Sequence, residues 1–154
     1  MGLNFKIIAE DNNARVTRWK TAHGTVETPF FMPVATKMAV KHLTPVDLKK
    51  IGIKAIIANA LVLEFSRGAD NIKNHGGIHK LMHFNKTIFT DSGGFQMIRN
   101  AFYKGTAKNG VWFENPYIKQ KILLTPEKAI ELQEKIGSDV AMILDDHNAH
   151  THGK

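Results

Sequence analysis

The sequence predicts an α/β fold in which a largely parallel sheet carries helices on its faces. Three observations predict it: short apolar runs typical of buried strands, amphipathic runs between them that begin with a helix cap, and one helix-strand unit that occurs twice. Strands that alternate with helices are expected to run parallel. An open doubly wound sheet and part of a (β/α)8 barrel both fit this pattern, which does not separate them.

Residues 1–28 come before this pattern and predict a β-hairpin region. Residues 4–9 and 14–20 are typical of two strands on either side of the turn EDNN, and a second turn, AHGT, follows. The apolar run PFFMPVA, residues 29–35, then predicts the first strand of the parallel sheet. Pro33 lies within that run and limits its hydrogen bonding.

The repeated unit begins with Leu-Thr-Pro and ends in an apolar strand. In LTPVDLKKIG, Thr44 is a good helix N-cap, Pro45 takes the first helical position, and Gly52 ends the helix before the strand IKAIIANA. The run LTPEKAIELQEKIG, which begins at Leu124, repeats this arrangement before the strand VAMIL. Both copies therefore predict a helix followed by a buried strand.

The segment between the two units predicts one more buried strand and a hairpin. LEFSRGADNIKNHGG predicts loop and short helix, IHKLMHF predicts a further helical turn or two, and TIFTD at residues 87–91 predicts the strand. KNG, which lies between aromatic segments after that strand, predicts a β-hairpin.

Composition bounds the class of protein. The chain has 154 residues, the size of one domain, of which 43% are hydrophobic and 23% charged, as in a globular protein. It contains no cysteine, so disulfides and thiolate metal sites are excluded within it. Without a secretory pattern or an apolar run near the roughly 20 residues of a membrane span, we expect a cytoplasmic protein with no membrane partner. The formal charge of +7 favours a polyanionic partner such as nucleic acid, although a lysine-rich surface explains it equally well.

Carboxylates follow two of the predicted parallel strands. Asp91 ends TIFTD, and Asp145 with Asp146 follows VAMIL. The carboxyl ends of parallel strands are where barrels and open α/β sheets place their binding and catalytic groups. These acids are therefore the candidate functional residues.

The run TDSGGFQ combines groups that suit a nucleobase and its ribose. Asp91 ends a strand of mostly apolar residues, so we expect its carboxylate to be partly removed from water. Gly93 and Gly94 have no side chains, which leaves the backbone open to a flat ligand. Phe95 offers a stacking face, and Gln96 offers both a hydrogen-bond donor and an acceptor. The alternative is a simple strand-to-loop turn in which Asp91 caps the next segment.

TDSGGFQ and its surroundings resemble the tRNA-guanine transglycosylase family. The similarity also includes HGTVETPFFMPVAT, HLTPVDLKKIG, GGIHKLMHFNKTIFTDSGGFQMI and LTPEKAIELQEKIGSDVAMILDD, in order, over about residues 4 to 146. It implies an α/β fold made of about half of a (β/α)8 TIM-type barrel, the N-terminal half, preceded by an N-terminal β-hairpin region. The implied divisions are residues 1–28 for the β region, 29–146 for barrel strands 1–4 with their helices, and 147–154 for a tail.

The resemblance implies a pentosyltransferase that exchanges a guanine in tRNA for a 7-deazaguanine, as in queuosine or archaeosine biosynthesis. Its partners would be tRNA and the free guanine or 7-deazaguanine base. Family enzymes use one carboxylate as nucleophile and another as acid/base. Retaining glycosidases use a pair of carboxyl groups in the same two roles. The alternative is a non-catalytic tRNA-binding or dimerisation subunit with the same half-barrel.

The resemblance also assigns roles to single residues. Asp91 matches the catalytic aspartate, which acts as acid/base or as nucleophile. Asp145 matches the acid that reads the Watson–Crick edge of guanine. The other matching positions lie against the base and ribose in the family: Ser92, Gly93, Gly94, Phe95 and Gln96.

Two features of the family lie outside this chain. A later aspartate and a Cys/His zinc site belong to the family's C-terminal part, so we expect no metal site or cofactor in this chain and zinc in that part. Half a barrel leaves two apolar edges, so we expect a homo-oligomer or a complementary C-terminal chain.

Three weaker patterns favour structural roles. Three histidines are spaced four residues apart, but two glycines after the first interrupt any single helix that would carry all three. We therefore expect surface or loop positions for His75, His79 and His83. Aromatic residues near the hairpin pack it or stack on RNA: Trp112, Phe113 and Tyr117. The tail histidines allow a metal site but are typical of a polar tail: His147, His150 and His152.

Overall fold

Nine strands and six helices make up the described part of the chain, residues 4–97 and 102–145 of the computed structural model. The strands are β1 (Asn4–Asp11), β2 (Ala14–Thr21), β3 (Gly24–Thr28), β4 (Ala55–Asn59), β5 (Thr87–Asp91), β6 (Tyr103–Ala107), β7 (Gly110–Glu114), β8 (Lys121–Leu124) and β9 (Val140–Ala141). The helices are α1 (Pro45–Lys50), α2 (Ala60–Arg67), α3 (Ala69–Asn74), α4 (Gly77–Met82), α5 (Gly94–Met97) and α6 (Pro126–Ile136).

The strands form three separate sheets of three strands each. β1, β2 and β3 form an antiparallel sheet, β4, β5 and β9 form a parallel sheet, and β6, β7 and β8 form a second antiparallel sheet. Over the described residues the architecture is thus a mixed α/β fold with no closed barrel. None of the helices in those residues has the length and apolar character of a membrane span.

The N-terminal sheet follows the predicted hairpin pattern. β1 and β2 occupy the two segments predicted as strands, and Asn12 turns the chain between them with φ of 52°. Asn tolerates this left-handed conformation better than most residues do. Trp19 of this sheet packs edge-on against Phe89 of β5, with ring centroids 5.5 Å apart, so the sheet lies against the parallel sheet.

The strand predicted at residues 29–35 is wrong in its extent. Only an isolated parallel bridge between Val34 and Ile57 is present, supported by bonds from Ala35 N–H to Ile57 O and from Ile57 N–H to Pro33 O. The two prolines of PFFMPVA have no N–H to donate, so the segment cannot form a regular ladder.

The strand predicted as VAMIL is also shorter than expected. β9 spans Val140–Ala141, after which the side chain of Gln133 bonds the backbone N–H and C=O of Met142, at 2.9 and 2.8 Å. The Met142 N–H also donates to Thr90 O of β5 at 3.1 Å, so one backbone bond continues beyond β9 and shares its donor with the Gln133 side chain.

The helices begin where the sequence places caps. Thr44 and Asp47 form a reciprocal capping box at α1, and the Thr125 side chain accepts from Lys128 N–H at α6. α6 ends at Gly137 in the left-handed conformation that favours glycine. The segment predicted as loop and short helix is more helical than expected, because Asn59 caps α2 directly after β4.

The main core lies between the parallel sheet and its helices. Ile56 and Ile88 of the sheet are fully buried in one cluster with Leu61 of α2, Ile72 of α3 and Leu132 of α6. Each such side chain contributes about 1.5–3 kcal/mol when it leaves water. This packing holds β4 and β5 rigidly, and their carboxyl ends carry the candidate site.

Candidate active site

Asn59 and Asp91 lie side by side at the carboxyl ends of neighbouring strands. β4 and β5 pair in parallel, and Asn59 is the register partner of Asp91. Side chains alternate between faces along a strand, so both residues share the face of Phe89, opposite the face of Ile88 that packs on the helices. Two polar side chains therefore end two apolar strands at one point.

Gly93 lets the loop after Asp91 fold back onto α2. Asp91 Oδ1 accepts a 2.8 Å hydrogen bond from Gly93 N–H, and Gly93 has φ of +81°. A Cβ on Gly93 would lie 2.6 Å from Leu61 Cβ and 2.8 Å from Asn59 Oδ1. Only glycine fits this position, for its backbone conformation and for the lack of space.

Gly94 brings the loop to the end of the third parallel strand. Its N–H donates to Ser92 Oγ at 3.3 Å. A Cβ on Gly94 would lie 3.4 Å from Leu144 Cδ1 and 3.5 Å from the backbone oxygen of Asp145. The loop that follows Asp91 is therefore in contact with the segment that carries Asp145.

Burial raises the pKa of the Asp91 carboxyl to about 6. This net pKa includes two smaller effects: the hydrogen bond from Gly93 N–H lowers it, and the nearby charge of Asp145 raises it. A carboxyl with this pKa exists in both protonation states close to neutral pH. That property suits a group that takes up and releases a proton during a reaction.

The predicted site residues lie together, but in different environments. Ser92, Gly93 and Gly94 are buried, whereas Phe95 is 54% exposed and Asp145 is exposed. The Gln96 side chain, Asp146 and the tail histidines at 147, 150 and 152 lie outside the described residues.

Asn59 is a site residue that the sequence analysis missed. It is 1% exposed, and its Oδ1 accepts a 2.8 Å bond from Val62 N–H, which caps α2. The available signal was a polar residue at the end of the apolar strand AIIAN, the same signal that marked Asp91.

Gln133 was also missed, and it connects the strand ends that carry the two carboxylates. Its fully buried amide accepts from Thr90 Oγ1 at 2.8 Å and bonds both backbone groups of Met142. Thr90 precedes Asp91, and Met142 lies three residues before Asp145. A buried glutamine on the apolar face of a predicted helix was the signal for this network.

A second polar cluster lies at the opposite, amino end of the parallel strands. Asp139, just before β9, has a fully buried side chain that bonds His23 Nδ1 at 2.8 Å and His79 Nε2 at 2.9 Å. It also accepts from Ile88 N–H at 2.9 Å. The expected surface or loop position of His79 is therefore wrong, since its side chain is only 12% exposed.

These three side chains have the donor types of a metal site, but not its geometry. Their ligand atoms lie within 4.8 Å of one another, and the rings of His23 and His79 stack with centroids 3.5 Å apart. A metal lies close to the plane of each imidazole that binds it, and two stacked parallel rings cannot share one in that way. The arrangement is better described as a buried carboxylate held by two imidazoles.

Hydrogen bonding dominates the titration of Asp139. Burial by itself would raise the pKa of its carboxyl, but the bonds from His79, Ile88 N–H and His23 outweigh burial and lower that pKa to about 2. Asp139 and Asp91 thus have opposite shifts at opposite ends of the same sheet.

A cleft of about 470 Å³ opens beside Asp145. Its walls are the β6–β7 turn, the start of α6 and the end of the β9 segment, including Lys108, Pro126 and Leu144. A larger cleft of about 720 Å³ lies on the N-terminal sheet, next to Phe5 and Val16. The first cleft is the candidate for the base, because Asp145 lines it, whereas Asp91 and its loop lie outside the lining.

Comparison with known proteins places the chain in one family. A family model described as queuine tRNA-ribosyltransferase matches residues 10–154. A protein of that name from Thioalkalivibrio sulfidiphilus is 43% identical over 144 residues, which are 94% of this chain and 39% of the relative. One from Methylacidiphilum infernorum is 44% identical over 145 residues, 93% of this chain and 38% of the relative.

A third relative, from Desulforudis audaxviator, is also named queuine tRNA-ribosyltransferase and is 40% identical over 148 residues, 95% of this chain and 40% of the relative. The chain thus spans about two fifths of the length of these relatives and corresponds to their N-terminal portion. The chain belongs to the queuine tRNA-ribosyltransferase family.

Proposed function

We propose that this chain is the N-terminal half of the catalytic barrel of a tRNA-guanine transglycosylase. In this proposal residues 29–146 contribute four barrel strands, residues 1–28 a β region at the amino ends of those strands, and residues 147–154 a tail. The reaction exchanges a guanine in tRNA for a 7-deazaguanine base. The observation that carries the proposal is the position of Asp91, which is partly buried with a pKa raised to about 6 and begins the loop whose Gly94 lies against the segment that carries Asp145.

Asp91 supplies the carboxylate chemistry in this account. Exchange at the anomeric carbon needs one group that attacks or stabilises the ribosyl centre and one that moves a proton. A carboxyl with a pKa near 6 serves as the acid/base at neutral pH, and its ionised form serves as a nucleophile. Both roles for Asp91 stay open, and both place it at the ribose.

The remaining site residues bind the base. Gly93 and Gly94 present open backbone, and Phe95 offers a ring face for stacking. Asp145 accepts hydrogen bonds from N1–H and the exocyclic amine of guanine, the pattern that distinguishes guanine from adenine. Ser92 and Gln96 complete this loop, Ser92 through the bond from Gly94 N–H to its hydroxyl.

A further chain segment must complete the site. Phe31 and Val34, beside β4, are 78% and 59% exposed, and Ile143, beyond β9, is 78% exposed. Apolar groups at both sides of a parallel sheet favour pairing with further strands, supplied by a second copy or a complementary chain. The relatives have roughly three fifths of their length beyond the matched part, which is enough for the other half of a barrel.

Zinc belongs to that further segment in our proposal. The chain has no cysteine and therefore does not fit a Cys/His zinc site. No step assigned to this chain depends on a metal.

The second candidate function is a non-catalytic subunit that binds tRNA or mediates dimerisation. The exposed apolar edges and the net charge of +7 favour it, because both suit binding without requiring chemistry. The raised pKa of Asp91 favours the catalytic role, since a purely structural carboxylate has no use for a costly desolvation.

A base-exchange assay distinguishes the two functions. Labelled guanine and tRNA are incubated with the 154-residue chain alone, and with the chain plus the C-terminal remainder of the Methylacidiphilum infernorum relative. We expect no exchange by the chain alone, self-association in sedimentation, and exchange by the mixture. A monomer that exchanges bases would contradict the need for a partner. A stable complex without exchange would contradict catalysis and support the binding role.

A further inference from the structure

The outer face of the sheet formed by β6, β7 and β8 has an exposed aromatic side chain between two lysines. The inner face packs on the core through Phe113 and Leu124, both fully buried. Trp112, which points to the other face, is 38% exposed and lines a cleft of about 250 Å³ with Lys104 and Lys121. The core therefore does not account for Trp112.

The charge of this region is strongly one-sided. Residues 102–124 contain four lysines and one acid, Glu114. On this face an ion pair joins Lys104 to Glu114 at 3.4 Å, with the lysine side chain still 38% exposed. A planar aromatic among cations suits a ligand with negative charges and flat rings.

The same sheet borders the candidate active site. Its β6–β7 turn lines the cleft beside Asp145, and Trp112 lies two residues along β7 from Gly110 at that turn. Two residues of strand span about 7 Å, so Trp112 lies close to this turn, on the outer face of the sheet. A strand of RNA whose target base lies near Asp145 could therefore reach Trp112.

We propose that Trp112, Lys104 and Lys121 form a binding surface for the single-stranded RNA that flanks the target nucleotide. One unpaired base stacks on the Trp112 ring, and the two lysines contact the phosphates on either side. The identity of that RNA as a tRNA loop rests on the proposed function. The surface supplies affinity and register, while the loop after Asp91 supplies the chemistry.

The test measures binding of a labelled tRNA stem-loop to the 154-residue chain at several salt concentrations. We expect Trp112→Ala to weaken binding about 5- to 150-fold, the range of one lost base stack, and Trp112→Phe to restore most of it. Quenching of Trp112 fluorescence by RNA is followed in a Trp19→Phe background, because the chain contains only two tryptophans. Circular dichroism verifies that each variant is folded.

A matched pair of double variants separates local contacts from net charge. Lys104→Gln with Lys121→Gln should reduce the slope of log affinity against log salt by about 1.4, which corresponds to two phosphate contacts with a single strand. Lys49→Gln with Lys50→Gln changes the net charge equally, at exposed positions near the end of α1. This control pair should leave the slope close to that of the wild type.

The outcomes separate this proposal from the proposed function. Wild-type binding by Trp112→Ala, an equal effect of the two lysine pairs, or no RNA binding by the unaltered chain would each contradict the surface. The mixture of this chain with the C-terminal remainder of the relative is the complemented enzyme. If Trp112→Ala leaves exchange and the KM for tRNA unchanged in the complemented enzyme, the proposed RNA-binding surface is wrong and the proposed function stands. If RNA binding depends on Trp112 but no exchange occurs, the surface stands and the catalytic function is wrong.

Discussion

Asn59 and Asp91 are register partners on two parallel strands, and the turn after Asp91 brings Gly93 against Asn59 Oδ1. The Asp91 carboxylate accepts from the backbone N–H of Gly93, and this same glycine lies against the Asn59 amide that caps α2. Its orientation is fixed by regular secondary structure on one side and by a glycine on the other.

Gly93→Ala should destabilise the protein more than an equally strained substitution in open space. A Cβ at Gly93 meets Leu61 and Asn59, whereas one at Gly52, with φ of +78°, meets nothing within 4 Å. We expect Gly52→Ala to cost about 1–2 kcal/mol from backbone strain alone, and Gly93→Ala about 1–3 kcal/mol more from overpacking. Urea unfolding of both variants provides the comparison, and equal losses would show that the loop yields to the added methyl group.

Asp139→Asn should weaken the fold in a pH-dependent manner. The folded pKa of Asp139 lies at about 2, below its ordinary 3.8, so its contribution is complete above pH 4 and disappears as the pH falls towards 2. We expect the carboxylate to contribute about 2 kcal/mol at pH 7 and roughly half of that at pH 3. Urea unfolding at the two pH values measures the difference between wild type and variant, which a passive Asp139 would leave constant.

Asp91→Asn should have the opposite effect on stability. The folded pKa of Asp91 is raised from 3.8 to about 6, so its ionisation costs the folded state free energy that is absent below pH 4 and complete above pH 6. We expect the variant to exceed the wild type by about 1–3 kcal/mol at pH 7.5, after allowance for partial solvent screening, and to match it near pH 4. A variant that is less stable at every pH would indicate that Asp91 stabilises the loop in its ionised form.

Asp145→Ala should affect the free base more than the RNA. If its carboxylate reads the guanine edge, its loss should raise the KM for guanine in the complemented enzyme about 5- to 150-fold, with little change in the KM for tRNA. Asp70→Ala, which removes an exposed carboxylate on α3, is the matched control and should change neither value. Equal increases for both substrates would argue for a structural role of Asp145.

Local sequence patterns predicted the elements whose signals lie within a few residues. The capping groups at Thr44 and Thr125, the strand before Asp91 and the KNG hairpin are of this kind. The strand PFFMPVA was overpredicted, because its apolar composition outweighed the missing N–H groups of its prolines.

Contacts between distant residues were not predictable in the same way. His23 and Asp139 are 116 residues apart, and Thr90 and Gln133 are 43 apart, so no local pattern relates them. Asn59 was missed for a different reason: the predicted strand IKAIIANA ran past it, so it was not recognised as the polar residue at the end of the strand. The network around Gln133 and the position of Asn59 became evident once the strands were placed side by side.

The most direct test of the catalytic proposal is labelled-guanine exchange into tRNA by the complemented enzyme with Asp91→Asn. The account predicts a loss of about 10²–10⁴-fold, or more if Asp91 is the nucleophile, and the loss of any pH-rate limb near pH 6. The control Asp70→Asn makes the same change on the surface of α3 and should retain wild-type exchange. Exchange by Asp91→Asn at a rate close to the wild type, with its pH profile unchanged, would contradict the role assigned to Asp91.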